Sequence, residues 1–417
     1  MNASPPKAAA EFKFGHATKT IEFWRRLVAK TARKHPTPFF VFSSKPIREA
    51  LDELNVLGGP VPVRHWLSCK TQPLGPLLRW WRREGRGIEV VSEFELLAAL
   101  KEGYEPEQIL VNGPAKHHWL GRHAVPGLSV NFDSLAEIRV LLPPARALKW
   151  RVGIRCLTGE EFDPENRAWP TQFGLEPKAA LAALKRLKSA GARLDILHFH
   201  LRTNVASPDM YRRAIQEAAG ICDAARWRPK ILDCGGGLPP PHTISSARQG
   251  FAVGFVLAEF AKVLQEARRF FPALQEIWLE NGRFLSARSG VLVVKVLDVK
   301  QRRGLRQLIC DGGRATNALI SNWEAHQILV LPQRGGPNCS SAVYGPTCMA
   351  FDQLARRHLP RTIREGDLLV WMEAGAYHIP WETRFSHGLA TVLWHENGRV
   401  STARERESFR EWWEQWA

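Results

Sequence analysis

"KILDCGGG", residues 230–237, decides how this chain is read. Ile231, Leu232 and Cys234 form a short apolar run, and three successive glycines end it. Such a run, closed by glycine, reads as a buried strand leading into a turn. Helical periodicity flanks it at 208–227 and 250–271, and beyond those helices lie "DILHFH" (195–200) and "EIWLENG" (276–282), again short apolar runs. Toward the N-terminus the alternation continues with "KWRVGIRC" (149–156), "LSVNFD" (128–133), "QILVNG" (108–113), "GIEVVS" (87–92) and "VRHWLSCK" (63–70). Helical stretches separate most of them: "LGPLLRWWRREG", with Leu74, Leu77, Leu78 and Trp81 on one face, "EFELLAALKEG", a third near 115–123, and 176–191. Short strands alternating with helices imply parallel βαβ units, and eight of them match a (β/α)8 TIM barrel.

The remainder changes character. "GVLVVKVLDVK", "RQLICDGG", "HQILVLP", "DLLVWMEAG" and "LATVLWHENGRV" are β-rich runs broken by Gly and Pro, and "SFREWWEQWA" reads as a short terminal helix. The fold class expected is therefore α/β: a (β/α)8 barrel plus a C-terminal β-rich barrel or sandwich domain. Residues 1–44 are expected to form an N-terminal segment whose "TPFFVFSS" (37–44) adds a strand to the β domain. The barrel is assigned to 45–282 and the β-rich domain to 283–417.

Composition bounds the function. The 417 residues are 24% charged and 45% hydrophobic, a globular balance that argues against wholesale disorder. The run "FAVGFVLAEF" is cut by Glu259, so no apolar stretch reaches a membrane span. "MNASPPKAAAEFKFG" lacks the apolar core of a signal peptide, and a soluble, cytoplasmic protein is expected. Seven cysteines without CxxC pairs argue against a disulfide framework or a structural zinc site, and no metal is expected. The net charge of +17 raises a nucleic-acid partner, because basic surfaces gather phosphate backbones. The arginines are nevertheless spread through "WWRREGR", "LPPARALKWR" and "VKQRRGLR", with no recognition motif beside them, so a solvated basic surface is the simpler reading.

In such a barrel the active site lies at the C-terminal ends of the strands. Those ends carry Lys70, Ser92, Gly113, Asn131, Arg155, His200, Gly235–Gly237 and Glu280. Glycines after the seventh strand let backbone N–H groups approach a phosphate. A lysine on the same face points to pyridoxal phosphate, whose aldehyde takes an amine while its phosphate anchors the other end. Taken singly each residue has a blander reading: Lys70 could reach to water, His200 could be a satisfied core histidine, and Glu280 could pair with Arg283.

Together the motifs resemble the alanine-racemase-fold (fold type III) enzymes that use pyridoxal phosphate, and among them the ornithine/diaminopimelate/arginine decarboxylase family. "SCKTQ", "VVSEFELLAAL", "TQFGL", "HFHLRTN", "DCGGG", "LENGR", "YGPTCMAFD" and "GAY" follow the family's order over roughly 37–390. The resemblance implies a Schiff base on Lys70, His200 stacked on the cofactor ring, and Glu280 paired with the ring nitrogen. It further implies a phosphate site from Thr203, Gly235, Gly236, Gly237, Gly282, Arg283 and Tyr377. Cys348 would protonate the product carbon, contributed across a homodimer interface. Arg155, Arg202, Met349 and Asp352 would line the substrate site. A racemase of this fold would carry an arginine at the ring nitrogen and a tyrosine as opposing base, so Glu280 and Cys348 favour decarboxylation. A racemase, and more remotely a catalytically silent or nucleic-acid-binding homologue, are the alternatives.

Departures bear on the substrate. Gln172 stands for the family lysine in "TQFGL", Arg202 for the glycine of His-x-Gly-Ser, Asn281 for proline, and Met349 for an acidic residue after the cysteine. "NALISNWEAH" (317–326) lacks the Arg-Pro pair of diaminopimelate decarboxylases. An ammonium buried against Met349 would be costly. The expected substrate is accordingly a neutral, acidic or conjugated amino acid, not a basic diamino acid.

Overall fold

The computed structural model describes residues 16–161, 171–241, 244–245, 251–252, 254–318 and 324–417. Residues 1–15, 162–170, 242–243, 246–250, 253 and 319–323 lie outside it, and with them the readings of the N-terminus, of the first residue of the 250–271 helix and of the middle of "NALISNWEAH". The chain forms two compact units: one of residues up to 47, 242–253 and 286–417, the other of 48–241 and 254–285.

The second unit is the closed eight-stranded parallel barrel. Its strands are Val63–Ser68, Ile88–Val90, Ile109–Val111, Ser129–Phe132, Arg151–Arg155, Leu194–His198, Ile231–Asp233 and Glu276–Glu280, and the eighth pairs with the first to close the ring. Side chains two apart on a strand share a face. Trp66, Leu110, Ile196, Ile231 and Trp278 pack together as one apolar layer, with Trp66 and Trp278 in contact at a 4.8 Å centroid distance. Each buried side chain of this size contributes roughly 1.5–3 kcal/mol. Two residues further along the same strands the chain changes to Ser68, Asn112, His198, Asp233 and Glu280, all buried. The apolar layer plugs the barrel, and the polar layer above it faces the end where the strands terminate.

Helices Gly75–Arg83, Glu93–Lys101, Leu135–Ala147, Pro177–Ser189, Pro208–Ala224 and Leu257–Phe270 run outside the strands. Their starts are set locally: Ser92 Oγ accepts from Glu95 N, Ser134 Oγ from Glu137 N, and Ser207 caps just ahead of Pro208. The helix expected near 115–123 is replaced by two single turns, Lys116–His118 and Leu120–Arg122. The cause is Lys116, which turns inward to a fully buried pair with Glu137 (Nζ–Oε2 2.6 Å) and also donates to the Gly113 carbonyl. The helix expected over 250–271 begins only at Leu257, because Phe251–Ala252 pair as a short strand with Ile244–Ser245.

In the other unit the long strand Gly290–Arg302 is antiparallel to Phe39–Ser43, Leu305–Cys310 and Leu368–Trp371. Phe39–Ser43 also runs parallel to Thr391–Glu396, which turns back into Arg399–Arg404. Asn338–Tyr344 and Gln353–Pro360 extend the Leu305–Cys310 side. Helix Thr18–Thr31 lays Trp24, Leu27 and Val28 on the core of Phe39, Val41, Val291, Val293 and Val370. The fold class read from the sequence, a barrel with a separate β-rich domain, is the one observed.

Candidate active site

Lys70 sits in the single turn Cys69–Thr71 that ends the first barrel strand. Its side chain is 37% exposed, and Nζ lies 3.3 Å from Glu89 Oε1 on the second strand. Glu89 is fully buried and also accepts from Asn112 Nδ2. Asn112 donates again to Glu280 Oε1 at 2.6 Å, and its own Oδ1 accepts from Asn131 Nδ2, which also donates to Asp233 Oδ2 at 3.0 Å. A continuous polar chain therefore runs from Lys70 across the barrel to the last residues of the seventh and eighth strands.

Glu280 ends the eighth strand with 2% of its side chain exposed. His198 Nε2 lies 3.2 Å from Oε1 and His200 Nδ1 3.5 Å from Oε2. Burial would raise its pKa, but His198, His200 and Lys70 outweigh burial and hold it well below the usual carboxylate range. Asp233 goes the other way: burial first, then the Glu280 charge, pushes its carboxyl far up. Two buried carboxyls with one negative charge between them is the stable arrangement at this spacing. His198 is held neutral by burial, its pKa lowered to about 3. The mouth therefore carries two buried acidic groups with different partners: Glu89 faces Lys70, and the ionised Glu280 lies against His198 and His200.

The glycine turn closes the rim. Gly235 (φ 64°) and Gly237 (φ 105°) adopt left-handed backbone. A Cβ on Gly235 would come within 2.7 Å of His200 Nδ1, one on Gly236 within 2.7 Å of the Glu280 carbonyl, and one on Gly237 within 2.6 Å of the Arg202 carbonyl. Gly236 N donates to His200 Nδ1, and Tyr211 Oη donates to the Gly236 carbonyl. Gly282 is equally constrained, since a Cβ there would meet Thr71 Cγ2.

The barrel thus brings Lys70, His200, Gly235–Gly237, Glu280 and Gly282 to one rim, with Arg283 opening a short helix just beyond. Thr203 is exposed and Arg202 half-buried, its Nη2 3.8 Å from Met210 Sδ. Arg155 is at the end of the fifth strand, ion-paired with Glu161 and stacked over Phe173. Cys348, Met349, Asp352 and Tyr377 belong to the other unit. Cys348 is exposed and Met349 half-buried, whereas Asp352 is buried and accepts from Thr347 N in its own turn and from the distant Arg314 N. Tyr377 has a φ of 69°. Sequence reading passed over Glu89, Asn112, His198 and Asp233. The signal available was a charged residue at an inward position of an apolar run, as in "GIEVV" and "ILDC".

These residues fit pyridoxal phosphate: a turn that admits no side chain can receive an anion, and a buried ionised carboxylate can receive a protonated ring nitrogen. A barrel with a rim lysine, a glycine cradle and such a carboxylate suits an enzyme of the pyridoxal-phosphate class. The chain belongs to the pyridoxal-dependent decarboxylases, whose pyridoxal binding domain matches residues 48–287. It is a pyridoxal-phosphate-dependent carboxy-lyase whose substrate is a small molecule of the amino-acid class. Relatives include the diaminopimelate decarboxylase of Actinosynnema pretiosum subsp. auranticum, 28% identical over 387 residues, covering 87% of this chain and 84% of that one. That of Deinococcus radiodurans is 28% identical over 364 residues, covering 85% and 88%. The fold is shared with Helicobacter pylori diaminopimelate decarboxylase complexed with L-lysine, at a TM-score of 0.78 and 22% identity over 93% of this chain and 98% of that one. It is shared too with Vibrio vulnificus lysine/ornithine decarboxylase complexed with cadaverine, at a TM-score of 0.75 and 20% identity over 89% and 98%.

These relatives overturn one expectation. A basic diamino acid was set aside because Met349 replaces an acidic residue and Arg202 adds a cation, yet the related enzymes are diaminopimelate decarboxylases. The error was to let two positions, Met349 and Arg202, stand for the whole far end of the substrate. The far end of diaminopimelate carries a carboxylate beside its ammonium, so a nearby arginine need not repel it. No helix among the described residues is long and apolar enough to cross a membrane.

Proposed function

We propose that this enzyme decarboxylates a basic diamino acid, with meso-diaminopimelate the first candidate, and that Lys70 is the attachment point of its cofactor. The observation that carries the reading is the buried Glu280 carboxylate at the barrel rim, within electrostatic reach of Lys70 and His200. Bound pyridoxal phosphate supplies the electron sink that lets an amino acid's α-carboxylate leave as CO2. Glu280 would accept the ring N–H, and Asn112 holds that carboxylate in place through its 2.6 Å hydrogen bond. His200, whose Nδ1 accepts from the Gly236 N–H, would lie against the bound ring. The Gly235–Gly237 turn, with Thr203, Gly282, Arg283 and Tyr377, binds the phosphate. Glu89, 3.3 Å from Lys70 Nζ, orients the amine and can take its proton. Cys348, an exposed thiol, delivers the proton to the product carbon, from the second chain of a homodimer. All seven cysteines are free thiols, which supports a reducing, cytoplasmic setting.

A panel of amino acids assayed for CO2 release tests the substrate. The expected result is turnover of meso-diaminopimelate to lysine, above the rates for neutral and acidic amino acids. A cofactor-loaded enzyme that releases CO2 only from neutral or acidic amino acids would sink the reading.

A further inference from the structure

We propose that Glu324, His326 and His378 form a binding site for one divalent cation of the zinc class. The three residues are buried, and their donor atoms lie within 4.8 Å of one another. Glu324 Oε2 is 2.7 Å from His326 Nε2 and 3.7 Å from His378 Nε2. The other nitrogen of each ring is already committed. His326 Nδ1 faces the Met372 carbonyl oxygen, which can only accept, so that nitrogen carries the hydrogen. His378 Nδ1 lies 2.6 Å from Asn317 Oδ1 in the same relation. With Nδ1 as the donor, a neutral ring presents its Nε2 lone pair, and both rings present it toward one carboxylate. Lone pairs converging in a largely buried site repel unless a positive centre, a ring proton or a bound cation, lies among them.

The outer hydrogen bonds are those expected around metal-bound histidine, whose second ring N–H is held by a carbonyl, carboxylate or water. Two imidazoles and a carboxylate suit zinc and its transition-metal neighbours, whereas calcium and magnesium take oxygen shells. Zinc–ligand bonds of about 2.0–2.2 Å in a tetrahedron would part His326 Nε2 from Glu324 Oε2, now 2.7 Å apart, and bring His378 inward, each by a small side-chain adjustment, and would leave a fourth position for water. The ligands come from two segments: Glu324 and His326 from strand Glu324–Ala325 and the residue after it, His378 from the turn that follows Leu368–Trp371. The backbone already joins these segments through Met372 N and the Gln327 carbonyl. A cation there would pin the turn carrying Tyr377 and His378 to that strand.

The test uses the full-length holoprotein, freed of any affinity tag, stripped with a chelator and titrated with cobalt(II), then zinc(II). One cobalt per chain is expected, with a visible ligand-field band at wavelengths beyond the cofactor's absorption, abolished by zinc. Zinc should raise the thermal midpoint by several degrees, because a ligand that binds only the folded state stabilises it. Glu324→Gln and His326→Gln should each lower the metal affinity at least about tenfold, the effect expected even of outer-shell partners. Because either variant could fold poorly, the wild-type cobalt spectrum decides by itself. No stoichiometric uptake would overturn the proposal and leave a hydrogen-bonded imidazolium–carboxylate group. Uptake with a thiolate charge-transfer band that vanishes when Cys348 is alkylated would overturn it equally.

Discussion

Two regions of this molecule hold the same three side chains, a glutamate and two histidines, and put them to different ends. At the barrel rim Glu280 lies between His198 and His200, and in the β-rich unit Glu324 lies beside His326 and His378. The rim set is wired to other charged groups: Asn112 links Glu280 to Glu89, Glu89 faces Lys70, and Asp233 sits close enough to be kept protonated. It is also accessible, with the His200 side chain 27% exposed and that of Lys70 37%. The β-domain set is enclosed, and its outer nitrogens are fixed by a carbonyl and an amide. Residue type alone therefore does not define chemistry. A lysine and an opening make the first set a place for an organic cofactor, while enclosure and fixed tautomers suit the second to a metal ion.

The largest expected effect breaks this comparison at Lys70. Lys70→Ala should remove the cofactor band that borohydride otherwise traps on that residue, and lower CO2 release by a factor on the order of 10⁴ or more. Metal uptake by the β-domain set should be unaffected. Mixing Lys70→Ala chains with Cys348→Ala chains should restore activity in the mixed dimer, as one intact pair of contributors is regenerated. Failure to recover activity after demonstrated subunit exchange would count against a shared site. A trapped cofactor on another lysine would overturn the attachment point.

The next effect contrasts two lysines within the barrel. Lys70 pairs with Glu89 at the open rim, whereas Lys116 and Glu137 have no exposed side-chain surface at all. Removing one member of a buried pair leaves the other charged and alone, at a cost of about 3–5 kcal/mol. Lys116→Met should lose stability on that scale in urea unfolding. Adding Glu137→Gln should recover part of it, since no lone charge is then left buried, although the single amide oxygen can keep only one of the two backbone bonds, from residue 116 N or from Asp133 N, that the two carboxylate oxygens accept. Equal stability for the single and double variants would show that charge burial is not what that pair is about.

The same contrast explains what the sequence discloses. All eight barrel strands are legible because a strand buried on both faces is a continuous apolar run, and the glycines and rim lysine are legible because they end such runs. Lys116 is not, because a lysine in "PAKHHWLG" ordinarily points to water, and only the position of Glu137 makes burial possible. Glu89 and Asp233 are single polar letters inside apolar runs, and their meaning depends on which face of the strand they occupy. Asn338–Tyr344 and Gln353–Pro360 were not singled out as strands, since "NCSSAVY" and "QLARRHLP" carry too many polar residues for alternation to be visible. The β-domain trio brings Glu324 and His326 together with the distant His378, so no local pattern marks it.

The smallest effect is a pH slope that the barrel hides from itself. His65, whose Nδ1 lies 2.8 Å from Asn281 Nδ2, has its pKa lowered by burial, and next by Arg86, from 6.5 to about 4. Between those values the unfolded chain binds a proton that the folded chain refuses, so stability is lost as pH falls through that window. Glu95, which accepts from Val91 N, is raised from 4.5 to about 7, chiefly by burial and further by Glu89. There the folded chain keeps a proton that the unfolded chain releases, so stability is lost as pH rises from 4.5 toward 7. Between 4.5 and 6.5 the two slopes oppose each other, each at most about 1.4 kcal/mol per pH unit. Glu95→Gln should therefore expose a stability that climbs with pH between 4.5 and 6.5, and His65→Gln one that declines over the same range. Urea midpoints measured from pH 4.5 to 8 decide it. If both variants keep the wild-type profile, neither group is shifted in the folded barrel, and the burial assigned to the rim's neighbours is wrong.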